Sequence, residues 1–171
     1  NTASLRYALK RLGHRASIVQ NTSGQDAIAL PGQGKFDIAC TRLSSKLRGE
    51  IERFKGPVLG ICIGMHLLFD SSEEGPGRGL GVFEGRVLGL PSNGTVPHIG
   101  WSCCSDGAYY FFSHSFYVPF VATPTWMGVD YFGTEIAATC RKDNFTGCQF
   151  HPEKSGKAGA TFLDKVLTCR T

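Results

Sequence analysis

The chain has 171 residues, of which 42% are hydrophobic and 19% are charged, and its formal net charge is +4. This length and composition indicate one compact globular domain with a single core. There is no apolar run of membrane length, no signal peptide and no basic block, so we expect neither a membrane partner nor a nucleic-acid partner.

The spacing of apolar residues predicts helices and strands that alternate along the chain. Helices are expected at 2–13, 44–54, 63–71 and 158–167, and strands at 16–20, 26–30, 57–61, 85–90, 108–112, 116–118, 135–141 and 145–150. This order predicts an α/β fold: a single-domain, open, mostly parallel sheet with flanking helices and an antiparallel patch in its second half. Ligands bind such sheets at the carboxyl ends of strands, where Gly32, Cys62 and His151 are all expected.

A cysteine stands at the centre of the motif Gly60-Ile61-Cys62-Ile63-Gly64, between a short apolar run and a run compatible with a helix. This is the strand–turn–helix pattern of a nucleophile elbow, with cysteine where many hydrolases carry serine. The turn strains its central residue, the flanking glycines leave room around it, and the following helix N terminus favours a thiolate. Cys62 is therefore a candidate nucleophile; the alternative is a buried structural cysteine between two packing glycines.

A histidine and a glutamate near the end of the chain could complete the site. His151 and Glu153 are separated only by Pro152, which keeps the segment out of a helix, so the two side chains can share one face. A cysteine nucleophile needs a base, and the base needs a group that orients it. Taken singly, each could instead be an ordinary surface residue.

Together these motifs resemble the class I, triad-type glutamine amidotransferases. Further segments that resemble this family are Leu30–Gly34, Gly79–Val87, Val96–Trp101, Tyr110–Phe116 and His151–Ser155. The last three are most similar to the glutaminase subunit or domain of imidazole glycerol phosphate synthase, in histidine biosynthesis. The resemblance runs from Asn1 to about Leu167 and implies the flavodoxin-like fold of that family.

The resemblance implies a hydrolysis of glutamine to glutamate and ammonia. Cys62 would attack the side-chain amide, His151 would transfer protons, and Glu153 would hold the imidazole, with a γ-glutamyl thioester as the intermediate. The backbone N–H of Ile63, which follows the nucleophile, is expected in the oxyanion hole, together with the turn that contains Gly32 and Gln33. If the elbow motif is ignored, the sequence of that turn indicates only an ordinary turn at the end of a strand.

Five residues are implied as substrate-binding by the resemblance alone, namely Gly64, His66, Glu74, Ser115 and Phe116. Two residues depart from the family pattern: His66 stands where glutamine is usual, and Gln33 where a small aliphatic residue is usual. Histidine keeps the capacity to hydrogen-bond but can become charged near neutral pH. Glutamine affinity and turnover are the properties that these two changes would affect.

The resemblance also implies a partner. In the family, the glutaminase docks on a (β/α)8 cyclase, a separate subunit or a fused domain, which receives the ammonia and makes imidazole glycerol phosphate and AICAR. Trp101 and Lys154 match positions at the docking face, so we expect a 1:1 heterodimer and a glutaminase that is nearly idle alone. Trp101 could equally be a core aromatic, and Lys154 a solvated lysine.

The seven cysteines are odd in number and form no C-x-x-C pair, which indicates free thiols, a reducing cytoplasmic location and no zinc site. We expect no metal and no cofactor. Residues 1–171 are expected to form one glutaminase domain that lacks the family's N-terminal strand and some loops. We expect that these segments belong to the full-length protein and are missing from this sequence; a full-length mass of 18.5 kDa would contradict that hypothesis.

Three alternatives remain open from the sequence. The chain could be the glutaminase of another synthase, such as the anthranilate, guanylate or pyridoxal phosphate systems, although Val96–Trp101 argues against it. It could be an interaction subunit that kept the fold and lost turnover, which His66 and Gln33 favour. It could also be a cysteine hydrolase or stress protein with a similar elbow, which His151–Glu153 disfavours.

Overall fold

The structure, a computed structural model, describes residues 2–32, 34–123 and 125–168. Its elements in chain order are α1 (Thr2–Arg11), β1 (Ile28–Leu30), α2 (Phe36–Arg42), α3 (Ser45–Arg53), β2 (Val58–Ile61), α4 (Ile63–His66), β3 (Ser71–Ser72), β4 (Arg86–Gly89), β5 (His98–Cys103), β6 (Tyr109–His114), β7 (Phe116–Tyr117), β8 (Met127–Tyr131), β9 (Thr134–Lys142), β10 (Phe145–Cys148) and α5 (Gly156–Thr168), with a 3-10 turn at Pro152–Lys154 before α5.

The main sheet has five strands in the order β1-β2-β10-β9-β8. β1, β2 and β10 run parallel, whereas β9 is antiparallel to both β10 and β8. The predicted α/β class with a mixed sheet and flanking helices is confirmed. The antiparallel part is half of the sheet rather than a patch, because β8 and β9 form a hairpin that extends its edge.

β2 is the buried centre of the fold. Val58 packs into one apolar cluster, while Leu59 and Ile61 pack into the other, as alternation along a strand requires. Both neighbours of β2 are parallel to it, so it is covered by side chains on two faces and by hydrogen bonds on two edges. The strand therefore ends at a well-fixed point, and Cys62 is the next residue.

The helix predicted at 63–71 is shorter, and α4 ends at His66. The reason is that the segment after it folds back and takes the free carbonyls: Leu67 O accepts from Leu80 N at 2.6 Å, and Leu68 O accepts from Val82 N at 2.9 Å. These hydrogen bonds replace the ones that would have continued the helix.

The strand predicted at 16–20 does not form. Among the described residues, β1 pairs only with β2, so its other edge is free, and the 16–20 segment makes no strand pairing with that edge. A cavity of about 830 Å3 lies between that free edge, α1 and the 13–26 segment. Four of the helices and strands were not predicted at all, namely α2, β3, β5 and β8.

β5 and β6 form a separate antiparallel hairpin, with Trp101 paired to Phe111 and His98 paired to His114. A tight turn closes it, in which Cys104 N donates to Ala108 O at 2.9 Å. β3, β4 and β7 form a third small sheet. None of the helices in the described ranges combines the length and apolarity needed to cross a bilayer.

Candidate active site

Cys62 occupies the turn between β2 and α4 with φ 53° and ψ −110°, a backbone conformation that L-residues rarely adopt. Its N–H donates to Cys148 O at 2.7 Å, and its carbonyl accepts from His66 N at 3.1 Å. The turn is thus tied to β10 on one side and to α4 on the other. These contacts hold the strained residue in place.

The glycines on either side of Cys62 are required by close backbone contacts. A Cβ on Gly60 would lie 2.4 Å from Gly64 O, and a Cβ on Gly64 would lie 1.8 Å from Leu30 O. Neither neighbour can move, because both are backbone atoms. Glycine at both positions therefore allows α4 to start directly above β1 and β2.

The environment of the Cys62 sulfur favours the thiol. Burial raises the pKa of Cys62 to about 11; the backbone N–H of Ile63 acts in the opposite direction, and the charges of Glu74 and Glu153 raise it further. The N–H at the start of the helix therefore acts in the expected direction, toward the thiolate, but desolvation of the sulfur outweighs it. A base is needed to remove the proton.

His151 lines the same cavity as Cys62, and its contacts fix the position of its ring and backbone. Its Nδ1 lies 2.9 Å from Oε1 of Glu153, and both side chains are buried. The backbone N–H of His151 donates to the backbone carbonyl of Phe111 at 2.8 Å. Ser155 Oγ donates to His151 O at 2.7 Å and accepts from Phe111 N at 3.0 Å, which fastens the segment to β6.

One cavity of about 310 Å3 contains Cys62 and His151 in its wall. The sulfur contacts Ser113 O at 3.9 Å and Gln149 Nε2 at 3.8 Å. Within the described part of the chain, no hydrogen bond joins the sulfur to His151. The two groups therefore share a cavity in which a ligand can lie between or beside them.

Most of the site residues expected from sequence line that same cavity, namely Gly32, Cys62, Ile63, His66, Glu74, Ser115, Phe116 and His151. Gly64 lies below it in α4, and Glu153 lies behind His151. Gln33 lies outside the described residues. Trp101 and Lys154 are on the neighbouring surface rather than in the cavity wall.

Gly32 packs directly onto the residue after the nucleophile. A Cβ on Gly32 would lie 1.5 Å from Cγ2 of Ile63, and 3.0 Å from the backbone N of Gly64. The turn that follows β1 therefore rests on the first residues of α4. Gly32 and Ile63 both line the cavity that holds Cys62, which is where an oxyanion hole is expected.

Glu74 is half-buried, and its Oε2 accepts a hydrogen bond from Phe36 N at 3.0 Å, at the start of α2. Burial raises the pKa of Glu74, and the Phe36 N–H acts in the opposite direction. The hydrogen bond fixes the carboxylate at the cavity edge. Such a carboxylate suits the recognition of an ammonium group.

His66 differs from the sequence expectation in its charge. It is 3% exposed, and burial lowers its pKa to about 4, although a hydrogen bond to Gln149 acts in the opposite direction. The expectation that it can become charged near neutral pH is therefore wrong for this state. His66 Nε2 lies 2.8 Å from Gln149 Oε1, while its Nδ1 is buried without a partner in the described part of the chain.

Sequence reasoning missed several residues around the site. Gln149 is fully buried and touches the sulfur, and a polar residue inside the apolar run 145–150 was the signal that could have found it. His98 Nδ1 lies 3.0 Å from His114 Nε2, and His114 Nδ1 lies 2.9 Å from Phe116 O. No spacing rule joins His98 to His114 before the hairpin register is known.

The outer face of the β5–β6 hairpin is apolar and exposed beside the site. Trp101 is 55% exposed and packs edge-on against Phe111, with ring centroids 6.1 Å apart. Lys154 Nζ lies 5.4 Å from the centroid of the Phe111 ring. Ile99 and Tyr109 on the same hairpin are also exposed. A core position for Trp101 is thereby excluded.

The described residues contain no group of three His, Cys, Asp or Glu side chains arranged to hold a metal ion. Six cysteines fall within the described ranges, and each is a free thiol. Cys140 and Cys148 are fully buried and pack in the two apolar clusters.

Comparison with known proteins relates this geometry to a family. The family described as Glutamine amidotransferase class-I matches residues 1–168. The chain is 41% identical to the imidazole glycerol phosphate synthase subunit HisH of Exiguobacterium sibiricum, over 100% of this chain and 92% of that protein. It is 38% identical to the subunit of the same name from Caldanaerobacter subterraneus subsp. tengcongensis, over 95% of this chain and 90% of that protein.

Solved structures agree on the fold. A crystal structure of a glutamine amidotransferase superposes with a TM-score of 0.73 at 18% identity, covering 99% of this chain and 95% of that one. A Thermoplasma acidophilum protein described as a GMP synthase subunit superposes with a TM-score of 0.70 at 17% identity, covering 97% of this chain and 86% of that one. From the family match and the identities above, the chain belongs to the class I glutamine amidotransferases and, among them, to the family of the imidazole glycerol phosphate synthase HisH subunits.

Proposed function

We propose that the chain is the glutaminase of an imidazole glycerol phosphate synthase, and that it hydrolyses glutamine to glutamate and ammonia for histidine biosynthesis. The name of its relatives supports the synthase. The observation that carries the chemistry is one cavity whose wall holds Cys62 and a His151 that is hydrogen-bonded to a buried Glu153. Chemically, this is an acyl-transfer site with a sulfur nucleophile.

In the first half of the reaction, His151 Nε2 takes the proton of the Cys62 thiol as the sulfur attacks the side-chain amide carbon of glutamine. The carbonyl oxygen becomes an oxyanion, stabilised by the N–H of Ile63 and by the turn at Gly32 and Gln33. The C–N bond then breaks, and the proton on His151 leaves with the nitrogen as ammonia. The product on the enzyme is a γ-glutamyl thioester.

In the second half, His151 takes a proton from water, and the oxygen attacks the thioester carbon. The C–S bond breaks, glutamate leaves, and the proton returns to the sulfur. Throughout, Glu153 accepts from His151 Nδ1, which keeps the proton off Nε2 in the resting state and stabilises the imidazolium when it forms. The sum is glutamine plus water to glutamate plus ammonia.

We assign the recognition of glutamine to the remaining cavity residues. Glu74 binds the α-ammonium group, and the backbone at Ser115 and Phe116 binds the α-carboxylate. Gly64 leaves space beside the ligand, and His66 contributes a hydrogen-bonding side chain. All of these residues except Gly64 line the same cavity, which supports the assignment.

The proposal includes a (β/α)8 cyclase, separate or fused, that docks on the hairpin face around Trp101 and Lys154 and receives the ammonia. The exposed apolar face supports this, because such a patch beside an active site is typical of a protein interface. The raised pKa of Cys62 supports a glutaminase that is slow until the partner binds. We place this heterodimer in the cytoplasm, with residues 1–171 as its glutaminase domain.

The test is glutamine-dependent synthesis with this chain and a cyclase together, compared with synthesis from added ammonia. Glutamine should replace ammonia for the native chain, whereas Cys62→Ala should leave only the ammonia-dependent reaction. Cys40→Ala, which changes a half-buried thiol on α2 outside both the cavity and the β5–β6 hairpin, serves as the control. Failure of glutamine to support synthesis, with ammonia still active, would refute the glutaminase.

A second candidate function is an interaction subunit that kept the fold and lost turnover. Two observations favour this inactive subunit. The Cys62 sulfur is largely buried, and no hydrogen bond joins it to His151 among the described residues. A glutamine-derived electrophile separates the two, because labelling of Cys62 in the presence of the cyclase indicates an enzyme. No labelling under that condition indicates the inactive subunit.

A further inference from the structure

The protonation state of the side chains next to Cys62 follows from their hydrogen bonds. Gln149 Oε1 can only accept, so the 2.8 Å contact with His66 Nε2 requires the proton on Nε2. A neutral His66 then carries no proton on Nδ1, which is buried and makes no hydrogen bond to the described residues. The same contact also fixes the amide of Gln149, whose Nε2 must face the Cys62 sulfur at 3.8 Å.

We propose that His66 and Gln149 are positioning residues that set the reactivity of the nucleophile, through the chain of hydrogen bonds from His66 Nε2 to Gln149 Oε1 and from Gln149 Nε2 to Cys62 Sγ. The proposal rests on the role of Cys62 proposed above. It gives Gln149 a function and gives His66 a second function besides contact with substrate.

This chain of hydrogen bonds, which we call the relay, acts on the charged form of the sulfur. An amide N–H that faces a sulfur stabilises a thiolate more than a thiol, because the hydrogen bond to a charged acceptor is stronger. Glu74 and Glu153 oppose the thiolate by their charge, so a neutral donor at this position partly offsets them. Without His66, the amide of Gln149 could rotate and present its oxygen to the sulfur.

The relay persists across the neutral range because His66 stays uncharged there. His66 lies in α4, and within the described chain the only hydrogen-bonding partner of its side chain is Gln149. The titratable groups that line the cavity around this region are Cys62, Glu74, His114 and His151, and Glu153 lies behind His151. Burial lowers the pKa of His114 as well, which keeps a positive charge away from the relay.

The experiment measures the alkylation of Cys62 by iodoacetamide as a function of pH in the full chain. Peptide mass spectrometry separates Cys62 from the other cysteines, and the midpoint of the rate profile gives the pKa of its thiol. The variants are Gln149→Leu, His66→Leu and His66→Gln. Thr146→Val, a buried substitution of similar shape on β10, the strand that leads to Gln149, is the control for a general structural effect.

We expect Gln149→Leu to move the midpoint upward and to slow alkylation at neutral pH by about tenfold. His66→Leu should shift the profile in the same direction, while His66→Gln, which keeps an N–H donor for Gln149, should recover most of that loss. Thr146→Val should match the native chain. A profile that is unchanged in both leucine variants would overturn the proposal, as would a His66→Gln variant as slow as His66→Leu.

A measurement on the native chain keeps the proposal testable if a variant fails to fold. Long-range proton–nitrogen NMR of the nitrogen-15-labelled protein reports the tautomer of each histidine, and His66→Gln identifies the His66 signals. We expect a neutral ring with the proton on Nε2 at neutral pH. A proton on Nδ1, or a doubly protonated ring, would overturn the relay. Neither measurement uses glutamine turnover, so each can fail independently of the glutaminase proposal.

Discussion

Nδ1 of His151 lies 2.9 Å from Oε1 of Glu153, and each side chain is only 4% exposed. Burial alone would raise the pKa of Glu153, but the hydrogen bond from His151 and its charge hold that pKa below its ordinary value. The carboxylate is therefore ionised at neutral pH. Because it can only accept, the proton of the neutral imidazole is on Nδ1, and Nε2 is free to act as a base.

Glu153→Gln should lower kcat for glutamine hydrolysis by about 10²–10⁴-fold with little change in KM. The amide keeps the size of the side chain but removes the negative charge that stabilises the imidazolium. Steady-state kinetics in the presence of the cyclase measures the effect. Glu52→Gln, an exposed carboxylate on α3, is the matched control. A kcat within twofold of the native value would contradict the role given to Glu153.

Gly32→Ala should lower kcat by about 100-fold, because the added Cβ would collide with Cγ2 of Ile63 and displace the turn that we propose supplies oxyanion donors. Substrate affinity should change less than kcat. The double variant Gly32→Ala/Ile63→Ala removes the colliding atom and should recover part of the loss. Equal losses in the single and double variants would show that the contact with Ile63 is not the cause.

Trp101→Ala should weaken cyclase binding by at least tenfold while changing the free energy of unfolding by less than about 0.5 kcal/mol. The side chain is 55% exposed, so little core packing is lost. Calorimetry with the purified cyclase measures the affinity. Phe132→Ala, an exposed aromatic outside the hairpin, should leave it unchanged. Equal affinities for the Trp101→Ala and native chains would remove Trp101 from the interface.

The free energy of unfolding should fall as the pH drops from 6.5 toward 4, in part because of the His98–His114 pair. Burial lowers the pKa of His98 to about 4, and burial together with the neighbouring His98 lowers the pKa of His114 to about 3, from an ordinary value of 6.5. The unfolded chain binds protons below 6.5 that the folded chain does not, so stability is complete above that pH and is lost below it.

Urea titrations between about pH 5 and pH 7 measure this slope. His98→Asn should reduce it by up to about 1.4 kcal/mol per pH unit, the contribution of one proton. His14→Gln is the control, because His14 is partly exposed and lies 3.5 Å from Asp164 on the surface. An identical slope in His98→Asn and the native chain would show that the buried ring takes up its proton in the folded state.

Local sequence was sufficient where backbone geometry decides the structure. The motif around Cys62 predicts the elbow because only glycine fits at Gly60 and Gly64, where backbone atoms approach within 2.4 Å and 1.8 Å of a Cβ position. The α/β class followed from helices and strands in alternation, and it is confirmed. The family was recognisable from the same motifs together with His151 and Glu153.

The parts of the fold and of the site that were not predicted depend on contacts between residues far apart in the sequence. The 16–20 segment has the apolar pattern of a strand but does not pair with the free edge of β1 in the described structure, and strand propensity alone does not make a strand. α4 stops at His66 because Leu80 and Val82 donate to the carbonyls that follow. The neutrality of His66 depends on burial and on Gln149, neither of which can be read from its position in the chain.

β6 connects the proposed docking face to the candidate catalytic residues along a single strand. Its Phe111 packs against Trp101 on the outside and accepts from His151 N on the inside, and the Ser113 carbonyl faces the Cys62 sulfur. From Phe111 to Ser113 is two residues, or about 7 Å of extended backbone. A protein bound to this face would therefore lie only a few residues of backbone away from the Cys62 thiol. A slight tilt of the hairpin would move the surroundings of His151 and Cys62 together.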